Sequence, residues 1–125
     1  MARTKEGLEL ALQKLKEIRK EFNSNLFIPG SQEGMNVELD KAFRLNDFIT
    51  MGELVAYDAL NRNESCGGHF REEYQTPEGE AKRDDENYFY VSCWDYAGND
   101  NDAPSLIKEP LHYEAIKVQT RNYKS

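Results

Sequence analysis

The longest helical pattern in the sequence is NVELDKAFRLNDFITMGELVAYDALNRN, residues 36–63. Its apolar residues recur three and four positions apart, which predicts one helix of roughly 40 Å at about 1.5 Å per residue. These residues lie on several faces, represented by Leu39 and Phe43, by Phe48, Met51 and Val55, and by Leu45 and Ala56. A helix that is apolar on several sides requires several neighbours. We expect a missing partner element, an oligomer, or cover from the C-terminal third.

A shorter helix is predicted before it, at residues 4–23. Leu8, Leu12, Leu15 and Phe22 follow the spacing of one apolar face, and Thr4 is a good N-terminal cap. A turn at residues 29–31 separates the two helical patterns, which predicts an antiparallel helical hairpin over residues 1–66.

The remainder, residues 67–125, is predicted to be irregular. Residues 71–87 read as an acidic loop with a turn at 76–79, and residues 88–96 have the aromatic and β-branched content of a strand. Residues 105–108 are the predicted return strand of a β-hairpin, and an extended tail follows. The fold class is thus mainly α, and the two segments are expected to form one domain.

Composition excludes several classes of function. The 125 residues carry a net charge of −7, which disfavours nucleic acid and anionic membranes as partners. No stretch reaches the ~18 apolar residues of a membrane span. The widely spaced Cys66 and Cys93 are expected to be free thiols in a reducing, cytoplasmic setting.

The candidate chemistry concentrates in ESCGGHFREEYQ, residues 64–75. His69 with Glu72 and Glu73 raises the possibility of a metal site, and Cys66 that of a thiolate nucleophile. Neither set is complete, so no catalytic, cofactor-binding or metal residue is assigned. Our interpretation is that Gly67 and Gly68 terminate the long helix, with Glu64 and His69 holding the exit in place.

Five segments in order resemble the C-terminal region of the flavoprotein subunit of succinate dehydrogenase and fumarate reductase, to which the tail of L-aspartate oxidase is related. They are residues 3–19, 36–48, 64–73, 83–88 and 108–111. The motif usual at the third segment is Glu-Ser-Arg-Gly-Ala-His. The sequence matches it at Glu64, Ser65, Gly67 and His69 and departs from it at Cys66 and Gly68. The motif Arg83, Asp84, Asp85, Glu86 and Asn87 matches completely.

The resemblance implies a fragment of a larger respiratory flavoprotein. The family's C-terminal region is a spectrin-repeat-like three-helix bundle, whose first helix would precede this chain, so Met1 is not expected to be the natural start. FAD and the catalytic residues would belong to upstream flavin-binding and capping domains. The expected partners are those domains and an iron–sulfur subunit, with a membrane anchor contacted only indirectly, on the cytoplasmic face of the inner membrane.

The function expected from the resemblance is support of the flavin domain and of subunit contacts in a parent enzyme that interconverts succinate and fumarate. The fragment alone is expected to have no activity, to bind no cofactor and to self-associate. The residues alone leave two alternatives open: a free-standing helical adaptor for protein interactions, and a small metal-binding protein.

Overall fold

A computed structural model describes residues 2–31, 33–99 and 102–120. The chain divides into two compact units, Met1–Arg62 and Asn63–Ser125, referred to below as the helical unit and the irregular unit. The helical unit contains α1 (Lys5–Asn25) and α2 (Val37–Asn61). The irregular unit contains α3 (Asp85–Tyr88), β1 (Tyr90–Asp95) and β2 (Ser105–Pro110).

Helix α1 begins at the predicted cap. The Thr4 hydroxyl accepts a hydrogen bond from the Gly7 backbone N–H at 3.1 Å, which satisfies one of the unpaired donors of the first turn. The helix continues two residues beyond the predicted end at Asn23 because Ser24 does not compete with it. The Ser24 hydroxyl instead donates to the Lys20 carbonyl one turn earlier, at 2.8 Å.

Helix α2 begins at a cap that also fixes the preceding loop. The Asn36 side-chain oxygen accepts from the backbone N–H groups of Glu38 and Leu39 at 3.1 and 3.2 Å. Its amide nitrogen donates to the Pro29 carbonyl at 3.2 Å. One side chain thus starts the helix and closes the turn that leads into it.

The end of α2 corrects one prediction. The helix stops at Asn61, and the Arg62 N–H donates to the Asp58 carbonyl at 3.0 Å. Gly67 and Gly68 lie well beyond this point and do not terminate the helix. The pattern of apolar residues ends at Leu60, and the polar residues 61–63 that follow it were the better boundary signal.

The core of the helical unit is small. Leu8, Ala56 and Ala59 are buried together, and Leu12 and Leu60 pack against them. Gly52 continues this contact, since a Cβ placed there would lie 3.5 Å from the Leu15 side chain. The small residues of α2 allow the two helix backbones to approach closely where they face each other.

The other apolar residues of α2 stay largely open. Phe43, Phe48, Met51 and Val55 are 66%, 67%, 55% and 54% exposed. Helix α1 therefore covers one side of α2 only, as the several apolar faces in the sequence indicated. The neighbouring Leu54, in contrast, is half-buried.

The irregular unit contains the predicted β-hairpin in antiparallel register, with Trp94 opposite Leu106. Tyr90, Ser92 and Trp94 are half-buried while the alternate residues of β1 are exposed, so one face of the hairpin is covered. The observed strands differ from the predicted ones at both ends. Tyr88 belongs to α3, and β2 runs on to Pro110, which pairs with Tyr90 at the strand end.

Proline is compatible with this position because an edge strand needs no N–H on its outer side. The extended tail was predicted at residues 113–123. Residues 113–120 contain neither helix nor strand, and residues 121–123 lie outside the described part of the chain. The mainly helical fold with one small antiparallel hairpin is confirmed. Within the residues described, no helix combines the length and apolarity needed to cross a membrane.

An ion pair between Arg19 and Glu53 joins the C-terminal halves of the two long helices. Arg19 Nε donates to Glu53 Oε2 at 3.2 Å, and an Nη atom of Arg19 donates to the Thr50 hydroxyl at 3.2 Å. The side chains of Arg19 and Glu53 are only 13% and 22% exposed. This pair is therefore better shielded from solvent than the other ion pairs along the helices.

Replacing Glu53 by alanine is expected to cost about 1–2 kcal/mol of unfolding free energy, because it removes the carboxylate that balances a shielded guanidinium charge. Far-ultraviolet circular dichroism during urea unfolding measures it, since nearly all helix lies in this unit. Glu9→Ala is the control. Its ion pair with Lys5 is long, at 3.8 Å, and both side chains are more than half exposed. The substitution should therefore lower the unfolding free energy by less than ~0.5 kcal/mol. Equal effects of the two substitutions would contradict the assignment.

Candidate functional site

Two of the motif segments, residues 64–73 and 83–88, lie side by side in the irregular unit. The Ser65 N–H donates to the Lys82 carbonyl at 2.9 Å, and the Asp84 N–H donates to Glu64 Oε2 at 2.9 Å. Glu64 is 2% exposed and Ser65 is fully buried. We call the group Glu64, Ser65, Arg71, Arg83, Asp84 and Asp85 the polar junction.

Ser65 joins the junction to residue 71. Its hydroxyl accepts from the Arg71 N–H at 2.8 Å and donates to the Arg71 carbonyl at 3.1 Å. One hydroxyl thus satisfies both backbone groups of a residue six positions away, as a strand partner would. Because this contact is buried, neither backbone group can turn to water as a replacement.

Arg71 itself is buried to 99%, which is rare for a charged side chain. Its Nε donates to Glu73 Oε2 at 3.0 Å, and its guanidinium lies 5.4 Å from the centre of the Tyr74 ring. Arg71 lies within the motif segment 64–73, but it was not among the candidate residues predicted from the sequence. No signal in an isolated Arg-Glu-Glu run distinguishes a buried arginine from a solvated one.

Gly67 and Gly68 form the tight turn that brings His69 back onto Cys66. The Cys66 N–H donates to the His69 carbonyl at 2.8 Å, and the His69 N–H donates to the Cys66 carbonyl at 3.0 Å. Gly67 has a φ of +56°, whereas Gly68 is not in the positive-φ region. A positive φ at the first central residue is typical of a type II′ hairpin turn. Cys66 and His69 are thereby paired through their backbones.

The acidic loop that follows is ordered by its own backbone. The Gly79 N–H donates to the Thr76 carbonyl at 2.9 Å, which closes the predicted turn at 76–79. The Lys82 N–H then donates to the Tyr74 carbonyl at 3.2 Å. The loop doubles back on itself, and its end places the Lys82 carbonyl against Ser65.

The second motif caps a helix and holds the tail. Asp84 accepts from the Asn87 N–H at 3.2 Å, and this cap starts α3, where the sequence predicted only a loop. Arg83 donates to one oxygen of Asp85 through Nε and Nη2, at 3.0 and 2.6 Å, and to the Gln119 carbonyl through Nη1 at 3.0 Å. Glu86 is exposed in the first turn of α3.

The charges of the junction reinforce these contacts. The hydrogen bond that Arg83 donates to the Asp85 carboxylate raises the pKa of the guanidinium, and the negative charges of Asp85 and Glu64 act in the same direction. Burial opposes this shift but does not reverse it. Arg83 therefore stays charged at any pH at which the protein is folded, and it acts as a fixed donor.

The arrangement has few chemical capabilities. Among the described residues, no three His, Cys, Asp or Glu side chains come together in a way that could hold a metal ion. Gly67 and Gly68 do not form the glycine-rich turn between a strand and a helix that holds a dinucleotide in a nucleotide-binding fold. Gly67 and Gly68 instead close an antiparallel turn. The side chains of the polar junction bind backbone groups of neighbouring segments and so fix the path of the main chain.

Replacing Gly67 by alanine is expected to destabilise the irregular unit by ~1–2 kcal/mol, because an L-residue is strained at positive φ. No atom lies within 4 Å of the added methyl group, so the cost comes from the backbone alone. The fluorescence of Trp94, the one tryptophan in the sequence, reports unfolding of this unit. Gly68→Ala is the matched control and should be neutral or slightly stabilising. The reverse order would show that the turn type is wrong.

Replacing Ser65 by alanine is expected to cost about 1–3 kcal/mol, since the buried Arg71 N–H loses its hydroxyl acceptor while the Arg71 carbonyl keeps the bond from the Tyr74 N–H, at 2.9 Å. The sharper measurement is amide hydrogen exchange. The Arg71 amide should exchange much faster in the variant, while the amides of the β1–β2 hairpin change far less. Ser105→Ala, at an exposed position of β2, is the control. An Arg71 amide that keeps its protection would disprove the role of the hydroxyl.

The chain has clear relatives. Residues 1–123 match the family described as the fumarate reductase flavoprotein C-terminus. A fumarate reductase flavoprotein subunit of Helicobacter pylori is 28% identical over 111 residues, which is 89% of this chain and 15% of the relative. An uncharacterized FAD-dependent oxidoreductase of Methanocaldococcus jannaschii is 33% identical over 72 residues, or 58% of this chain and 12% of the relative.

A solved structure has the same fold. The FrdA chain of a mutant E. coli quinol fumarate reductase superposes with a TM-score of 0.76 at 23% identity, over 95% of this chain and 19% of FrdA. The chain thus spans less than a fifth of the length of these relatives. With a family match over nearly every residue, the chain belongs to the family of C-terminal domains of fumarate reductase and succinate dehydrogenase flavoproteins.

Proposed function

We propose that this chain is the C-terminal structural domain of a longer respiratory flavoprotein that interconverts succinate and fumarate through FAD. The family match over residues 1–123 supports this proposal. The small share of the relatives that the chain covers supports it too, since 85% or more of their length has no counterpart here. Flavin binding and catalysis would belong to that remainder.

The observation that carries the proposal is the burial of Glu64, Ser65 and Arg71, the inner part of the polar junction. Glu64, Ser65 and Arg71 are the most conspicuous polar residues of the chain, yet all three are at least 98% buried. The side chains of Glu64 and Ser65 form hydrogen bonds with backbone groups of the same unit. A substrate would need such groups at an accessible surface, so their work is to hold the domain in shape.

The exposed apolar side chains of α2 supply the contact surface. Phe48, Met51 and Val55 follow one another three and four positions apart, which is the spacing of a helix-packing seam. A third helix from the same polypeptide is the partner that a three-helix bundle would place there. We further propose that the flavin-binding and capping domains and an iron–sulfur subunit meet this domain, and that the membrane anchor does so only indirectly.

The proposed location follows from the same assignment. The acidic chain, with a net charge of −7, is poorly suited to direct binding of an anionic membrane. We therefore propose a cytoplasmic protein that is held at the cytoplasmic face of the inner membrane through its partner subunits. In that complex, electrons would pass from FAD to the iron–sulfur subunit without using residues of this domain.

The purified chain is expected to carry no flavin and to reduce no fumarate with a reduced dye as electron donor. The visible absorption spectrum and a fumarate-dependent dye oxidation assay measure both. The control is the longer protein encoded by any upstream extension of the reading frame, which should contain flavin and be active. Flavin bound to the 125-residue chain at near-unit stoichiometry would overturn the proposal, as would an upstream sequence without a dinucleotide-binding domain.

The isolated chain is expected to self-associate through the α2 seam, because contiguous exposed apolar surface is rarely left open in a monomer. Light scattering over a concentration series measures the mass. Phe48→Gln combined with Val55→Gln should shift the protein toward monomer. Ile107→Gln, at a residue of similar exposure on β2, should not. A wild-type chain that stays monomeric at high concentration would contradict the expectation.

A further inference from the structure

We draw no further inference here: the strongest candidate, the exposed apolar seam of α2 at Phe48, Met51 and Val55, belongs to the contact surface already proposed, and nothing in the structure shows what covers it.

Discussion

The irregular unit depends on the Ser65 hydroxyl, which forms the backbone hydrogen bonds that a neighbouring strand would otherwise supply. Between Asn63 and α3 the chain has no helix, and its strand-like contacts are isolated bridges, so its backbone groups need other partners. Ser65 satisfies both backbone groups of Arg71, and its own N–H is satisfied by Lys82. Glu64 adds a carboxylate acceptor for Asp84. Two consecutive side chains thereby connect three segments that regular secondary structure does not join.

The helical unit is governed by a different constraint, the number of faces that one helix can cover. Helix α1 packs on the small residues of α2, and its Arg19 binds Glu53 of α2. It cannot cover the opposite side of α2, because a helix with its side chains is about 10 Å wide. The result is a pair of helices with a thin core and a seam of large apolar side chains. This is the form expected of one part of a larger packed assembly.

Much of this fold could be predicted because its signals are local. Thr4 and Asn36 are capping residues directly before periodic apolar runs, and both helices begin beside them. The hairpin followed from the aromatic run and the Gly-Asn-Asp loop after it. The role of Gly67 and Gly68 was misassigned because a glycine pair is a strong signal for a helix end, and the same pair equally suits a tight turn.

The polar junction was harder to predict because its contacts are not local. The motifs around residues 64 and 83 were selected separately, yet their proximity depends on a loop whose path no periodicity specifies. Burial of Arg71 depends on the same path, and the short α3 needed the Asp84 cap to be in place first. The family resemblance placed the two segments in one ordered series along the chain, but it did not indicate that they lie side by side.

The bond between Arg83 and Gln119 has a consequence for the order of folding. It joins residues 36 positions apart, whereas α1 and α2 are consecutive helices separated by a short loop. Synthesis runs from the N-terminus, so the helix pair can form while the irregular unit is still being made. The Arg83 clamp has to wait until residue 119 has left the ribosome, and loop closure over that separation is slower than local contact. The segment around Gln119 is therefore held in place only at the end of the synthesis of this unit, after the helix pair has had time to form.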